Sequence, residues 1–336
     1  MKNTNKVIVI AEAGVNHNGS IKKALKMIDV AAQSGADFVK FQTFDPFALS
    51  NTSLGLANYQ KKFLSGKKTR HIDMLIKLKL DCDDFEKIVK KCKRKKIKFL
   101  SSPFDIKSIK LLNKLKSSHI KVPSGQITDI PYLEFLGKLN KKIFLSTGAS
   151  TINEVKKAIS MLIKNGTSKN NIELLHCLSQ YPASYNNLNL DSIRYIKDKL
   201  NFNVGFSDHS INLDASLLAI GLGARVIEKH FTLNKKLKGP DNQFSLNPKE
   251  LKIFIKRIRL AEKSLGTYSK KPSKVELNNI KFMRKRIVAI KEINFGDVFS
   301  SENISTKRST NGKPASSWKE IIGKKSKRIY RIGSGI

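Results

Sequence analysis

The chain has 336 residues, 40% of them hydrophobic, and carries a formal net charge of +37 from 64 Lys and Arg against 27 Asp and Glu. That length exceeds one small domain and suits a barrel of about 250 residues with a small appendage. No apolar run approaches the roughly 18 residues of a membrane span. The three cysteines (Cys82, Cys92 and Cys177) are odd in number and lack a CxxC pair, which argues against a disulfide framework or a cysteine-rich zinc site. So basic a chain raises the question of nucleic acid. Its lysines, however, are spread along almost every predicted helix, and the densest run, Lys90 to Lys96, closes one, where cations complement the helix dipole. No helix-turn-helix, finger or aromatic-interleaved basic stripe accompanies them. A lysine-rich surface is therefore preferred to a nucleic-acid role, though such a field still draws in small anions.

Strands and helices alternate from the start. The basic residues before Val7 invite a signal-peptide reading, but Glu12 interrupts the apolar run and no cleavage site follows. The segment Val7–Ala11 is read as the first strand of a cytoplasmic protein. Ser20 caps a helix with Ile21, Leu25, Ile28 and Ala32 on one face and a stop at Gly35. Strand two is Phe38–Gln42, and a polar excursion to about Arg70 is long enough to be a site-covering loop. Helices over 71–79 and 83–95 precede strand three, Ile97–Leu100. Strands four to eight are Ile120–Val122, Ile143–Leu145, Ile172–His176, Val204–Phe206 and Val226–Glu228. Thr151 and Glu154 form a capping box, and Asn247-Pro248 opens a last helix ending at Gly266. Eight strands, each followed by a helix, predict a (β/α)8 barrel over residues 1–268. A linker over 269–284 then leads to a small β-rich domain, 285–336, with short strands at 287–290, 298–299 and 304–307 and too few apolar residues for a core of its own.

In such a barrel the carboxyl ends of the strands present the chemistry. Those ends carry Glu12; Lys40 and Gln42; Ser101 and Ser102; Lys121 and Ser124; Ser146 and Thr147; His176; Ser207, Asp208 and His209; Glu228 and His230. Two lysines and several hydroxyls on one face match a phosphate and a carboxylate, which want fixed donors. His209 and His230 occupy the same layer of adjacent strands and suit a divalent metal completed by oxygen ligands. The remaining histidines have plainer readings. His176 is a satisfied core residue, His17 shapes a turn, and His71 and His119 lie on the surface. Cys177 is a small buried hydrophobe.

These residues resemble the sialic acid (N-acetylneuraminate) and legionaminic acid synthases over nearly the whole chain. The resemblance rests on Ala11-Glu12-Ala13-Gly14-Val15-Asn16-His17-Asn18-Gly19, Lys40-Phe41-Gln42-Thr43, Lys121-Val122-Pro123-Ser124-Gly125 and Leu145-Ser146-Thr147-Gly148. It continues through Leu175-His176-Cys177, Tyr181-Pro182, Gly205-Phe206-Ser207-Asp208-His209, Glu228-Lys229-His230-Phe231-Thr232 and Gly239-Pro240-Asp241. The terminal domain is similar to the antifreeze-like (SAF) module of these enzymes. The resemblance implies a transferase that condenses phosphoenolpyruvate with an N-acetylmannosamine-type sugar to a nine-carbon 2-keto acid and phosphate. By it, Lys40, Ser102, Lys121, Ser124, Ser146 and Ser207 hold phosphoenolpyruvate, and Gln42, Gln126, Tyr181 and Asp241 face the sugar together with Glu12. His209 and His230 bind manganese or magnesium and, with Glu12, make up the catalytic set. Arg308 reaches the sugar from the partner subunit of a domain-swapped homodimer.

The chain departs from the family pattern at Gln126, where an acidic residue is usual and where an amide cannot take a proton. It departs again at Ser102 and Ser179, and in Arg308-Ser309-Thr310-Asn311-Gly312, where Arg-Pro-Gly-x-Gly is common. Rival readings are a relative with altered or lost sugar specificity because of Gln126, and a basic nucleic-acid-binding protein on a barrel scaffold. The stretch Ala57–Lys61 resembles legionaminic synthases and Val122–Gly125 argues against the pseudaminic branch, but the sugar stays open between N-acetylmannosamine and its 2,4-diacetamido-6-deoxy relative.

Overall fold

The computed structural model describes residues 6–57, 60–61 and 70–336. These form two compact units, Met1–Gly266 and Thr267–Ile336. The first is built on β1 (Ile8–Gly14), β2 (Phe38–Thr43), β3 (Lys98–Pro103), β4 (His119–Val122), β5 (Lys142–Ser146), β6 (Ile172–Cys177), β7 (Val204–Asp208) and β8 (Val226–His230). Their order is β3-β2-β1-β8-β7-β6-β5-β4, parallel at every paired edge. The two end strands, β3 and β4, pack side by side, giving the expected TIM-like barrel.

Most of the strands run further than their apolar residues alone predict. β7 continues to Asp208 and β8 to His230, because a parallel ladder pairs backbone groups whatever the side chain. Alternation then sorts the residues. Ile10, Phe38, Leu100, Phe144, Leu175 and Val226 fill the barrel interior, while Val9, Val39, Phe41, Leu145, Phe206 and Ile227 pack on the helices. Gly205 lies in the inner layer, where a Cβ would stand 2.6 Å from both Leu175 Cδ2 and the Val226 carbonyl oxygen. The helices are terminated as their sequences dictate. Ser20 accepts from the Lys23 amide, Gly35 ends that helix at φ 86°, and Thr151/Glu154 and Asn247/Glu250 form complete capping boxes. Among the described residues no helix is long and apolar enough to cross a membrane.

The second unit opens with helix Lys274–Met283, which buries none of its residues. β9 (Lys285–Ala289) and β10 (Ile304–Arg308) then pair antiparallel. The expected strand at 298–299 is reduced to a single bridge between Val298 and Lys325. The expectation that this unit lacks a core is corrected: Ile287, Ala289, Ile293, Phe299, Ile304, Ile321 and Ile336 form one. Its apolar residues come from turns and the chain end as well as from strands, so strand periodicity does not reveal them.

Candidate active site

A cavity of about 320 Å³ opens at the carboxyl ends of the strands. Glu12, Lys40, Gln42, Ser102, Lys121, Ser124, Ser146, Tyr181, Ser207, His209, His230 and Asp241 all line it. Register brings them level: Glu12 pairs with both Lys40 and His230, Gln42 with Ser102, and Ser207 with Glu228.

The floor is charged and buried. Glu228 Oε1 lies 3.1 Å from Lys40 Nζ, 3.2 Å from Lys121 Nζ and 2.9 Å from the Ser207 hydroxyl. Lys40 also reaches Glu12 at 3.4 Å and donates to Ser102 at 3.2 Å. Burial opposes ionisation of Glu228, but Lys121 and Lys40 outweigh it and hold the carboxyl well below the usual range. Glu12 differs. Burial raises it to about 7, with Lys40 only partly offsetting that. Asp241 is raised to about 7 by burial and then by repulsion from Glu12. Burial likewise pushes Lys121 down, whereas for Lys40 the attraction of Glu12 and Glu228 overcomes burial and raises it. Two ammoniums therefore face one firmly ionised carboxylate, Glu228, and two carboxyls poised near neutrality. Glu12 Oε2, Glu228 Oε2, Ser146 Oγ and His230 Nδ1 are buried without a hydrogen-bond partner among the described residues, so the cavity presents unspent donors and acceptors.

The two imidazoles stand with ring centroids 5.6 Å apart. His209 Nδ1 is 2.7 Å from the Leu178 carbonyl oxygen, which places the proton on Nδ1 and leaves Nε2 a lone pair. Burial pushes His209 to about 4 and His230 well below its ordinary value, so both rings are neutral. Tyr181 covers His209 at 4.2 Å between centroids, and Phe244 meets His230 edge-on at 5.6 Å. Neutral, oriented imidazoles fit a divalent cation as nitrogen donors. Among the described residues no group of three or more His, Cys, Asp or Glu side chains is placed to hold a metal unaided, so the other ligands would be oxygens of substrate or water.

Not every expected residue reaches the cavity: Ser101, Thr147 and Asp208 of the strand-end set lie outside its lining. Gln126 is not in the cavity lining; its amide nitrogen donates to the Phe104 carbonyl oxygen at 2.7 Å, a contact a carboxylate could not make. Arg308 is exposed, on β10 of the second unit. Among the plainer readings, His176 faces the helices, 2.8 Å from the Leu188 carbonyl oxygen, and His17 accepts from the Gly19 amide within its turn. His71 is corrected: it is half-buried, lines the cavity and bonds Ser50 at 2.8 Å, because the helix His71–Leu78 that it opens packs on the cavity through Met74, Leu75 and Leu78. His119, also assigned to the surface, is half-buried against Phe38 and Phe144. Cys177 is buried but faces the cavity, 3.2 Å from the Ser124 hydroxyl. An apolar wall of Val15, Phe44, Met74, Leu75 and Leu78 was not foreseen; of the stretch Ala57–Lys61, Asn58 and Tyr59 lie outside the described residues.

The chain is 45% identical to an N,N'-diacetyllegionaminic acid synthase of Campylobacter jejuni, over 97% of each chain. It is 38% identical to the enzyme of that name in Legionella pneumophila, covering 94% of this chain and 89% of the other. A solved N-acetylneuraminic acid (sialic acid) synthetase of Leptospira borgpetersenii serovar Hardjo-bovis, in complex with citrate, superposes with a TM-score of 0.72 at 31% identity, over 83% of this chain and 92% of that one. A SAF domain matches residues 284–336, and with the NeuB family pattern matched over residues 27–270, the chain belongs to the NeuB family.

Proposed function

We propose that this chain is a nonulosonic acid synthase, a transferase that joins phosphoenolpyruvate to an N-acetylmannosamine-type sugar and, with one water, yields a nine-carbon 2-keto acid and phosphate. The observation that carries the reading is the buried pair Lys40 and Lys121, sharing Glu228 within a cavity edged by Ser102, Ser124, Ser146 and Ser207. Two ammoniums and a set of hydroxyls make a site for a small anion bearing a carboxylate and a phosphate, and they stabilise the charge on phosphate as it departs.

Of the two sugars we favour the 2,4-diacetamido-2,4,6-trideoxy form, giving N,N'-diacetyllegionaminate. Val15, Phe44, Met74, Leu75 and Leu78 suit methyl groups better than a hydroxymethyl, and the Campylobacter and Legionella relatives bear the legionaminic name. Gln42, Tyr181 and Asp241 would orient the sugar. Glu12, with its carboxyl near 7, is suited to hold or release a proton at neutral pH. His209 and His230 would hold manganese or magnesium, which when bound supplies Lewis-acid polarisation of the sugar carbonyl. Arg308 would act in a partner's site. The exposed Phe295, Ile329 and Ile332 of the second unit support its docking on another copy in a homodimer, with the cytoplasm as the compartment.

The test is to incubate the purified protein with phosphoenolpyruvate, Mn2+ and each sugar, following phosphate release and product mass. Phosphate release with neither sugar overturns the activity. Equal turnover of N-acetylmannosamine overturns the choice of sugar.

A further inference from the structure

We propose that the buried Asp208–Lys229 ion pair, on the helix side of the barrel behind the cavity, is a positioning pair that fixes the mutual orientation of His209 and His230. The metal assignment above gives a reason for holding the two rings, and the inference rests on that reading only for its purpose. The geometry is independent of it. Asp208 and Lys229 are register partners at the carboxyl ends of β7 and β8. Each sits between two cavity residues in sequence, Asp208 between Ser207 and His209, Lys229 between Glu228 and His230. A shift at either one is passed directly to the imidazole beside it.

Every donor of the pair is used. Lys229 Nζ lies 3.0 Å from Asp208 Oδ2 and donates to the carbonyl oxygens of Ser210 at 2.5 Å and Asn212 at 2.9 Å, which accounts for the three hydrogens of an ammonium. Asp208 accepts from the Ser210 amide at 2.8 Å and from the Ser216 hydroxyl at 2.6 Å, on helix Asp214–Gly221. The backbone on both sides of His209 is thereby tied to β8 and to that helix, while its ring is tied to Leu178.

Stability alone does not explain the arrangement. The side chains are 0% and 1% exposed, and both ions lose their hydration. A buried pair is often replaceable by apolar residues of like volume without loss of stability, and the neighbouring residues that share this face, Phe206 and Ile227, are apolar. Apolar residues here would leave the Ser210 and Asn212 carbonyls without Lys229, and the loop carrying His209 would have to rearrange.

The experiment compares the full-length parent with the double variant Asp208→Leu/Lys229→Met and with Ser216→Ala. In metal-free protein, histidine-ring 15N spectra report the tautomer and environment of His209 and His230; calorimetry reports Mn2+ affinity, and thermal melting reports the fold. We expect the double variant to fold and to melt somewhat below the parent, because two buried carbonyls lose their donor, and to show displaced or broadened His209 ring signals and Mn2+ binding at least about tenfold weaker. Ser216→Ala, which keeps the ion pair and removes one restraint, should change both in the same direction by less. If the double variant does not fold, Ser216→Ala decides. Ring signals that superimpose on the parent's overturn the proposal whatever the metal does. A parent that binds no Mn2+ while the variants' ring signals move sinks the metal assignment and leaves the positioning role standing.

Discussion

Asp241→Asn should make the empty protein more stable and disable it as an enzyme. Asp241 is buried, and burial together with Glu12 lifts its carboxyl from an ordinary 3.8 to about 7. A carboxyl with a raised pKa stabilises the fold while protonated and loses that contribution as pH rises from its unfolded value through its folded one. The gap of about three pH units amounts to about 4 kcal/mol by pH 8, about 2 kcal/mol at pH 5 and almost nothing near pH 3. Its Oδ2 stands 4.0 Å from His230 Nδ1, beyond hydrogen-bond reach, so no good ion pair offsets the burden. The assay is urea denaturation in chelator-containing buffer at pH 5, 6.5 and 8, followed by circular dichroism, with transition midpoint and slope compared between parent and variant. The variant's advantage should grow with pH, while turnover with the sugar falls by at least about tenfold. An advantage that is absent at pH 8, or equal at all three values, would refute the reasoning, because it would mean that Asp241 is not held against ionisation.

Further outcomes follow from the same geometry. Lys121→Ala removes a charge-assisted contact worth about 1.5–3 kcal/mol and should raise the KM for phosphoenolpyruvate about ten- to a hundredfold, leaving that for sugar much less affected; equal losses for both would mark a structural role. His209→Ala should stay folded but bind little Mn2+ at neutral pH, and chelation should silence the parent until Mn2+ is restored; full activity in the variant ends the assignment. Arg308→Ala and His209→Ala, each nearly inactive, should regain activity when mixed, since a heterodimer holds one complete site. Confirmed subunit exchange without regained activity places Arg308 outside the partner's site.

The barrel is legible because each strand is an apolar run bounded by polar residues, and the alternation of β with α fixes its class. The layer of site residues is legible for the same reason: once β8 is recognised, Glu228 and His230 share its inner face by parity. Three features were not readable. His71 looks like a surface residue because nothing local tells that the helix His71–Leu78 packs on the site. Gln126 is assigned to the sugar by the family resemblance, yet the turn Ser124–Gln126 directs its amide to the Phe104 carbonyl. Asp208 reads as one more strand-end site residue and Lys229 as an ordinary polar one, until their burial and pairing place both behind the site. The charge of +37 was a poor guide to function, because most of it is solvated. In the run Lys90–Lys96 nearly every basic residue is exposed while Cys92 turns inward. Among the described residues only Lys40, Lys121 and Lys229 are buried, and all three lie on strands at the site or directly behind it.

Why those charges are perturbed follows from what they stand on. Directly beneath Glu12, Lys40, Lys121 and Glu228 lies the inner apolar layer of Ile10, Phe38, Leu100, Phe144, Leu175 and Val226, two residues earlier along most of the same strands. That layer closes the barrel to water from below, and the side chains above it lose hydration on one side before any ligand arrives. The pairing of Glu228 with two lysines contains the cost without removing it, as the near-neutral settings of Glu12 and Asp241 show. An arriving anion would bring counter-charge to Lys40 and Lys121, and a cation between the imidazoles would relieve Glu12 and Asp241. The apolar core that stabilises the barrel is therefore also what leaves its upper layer short of partners, which the anion and cation of the proposed function would supply.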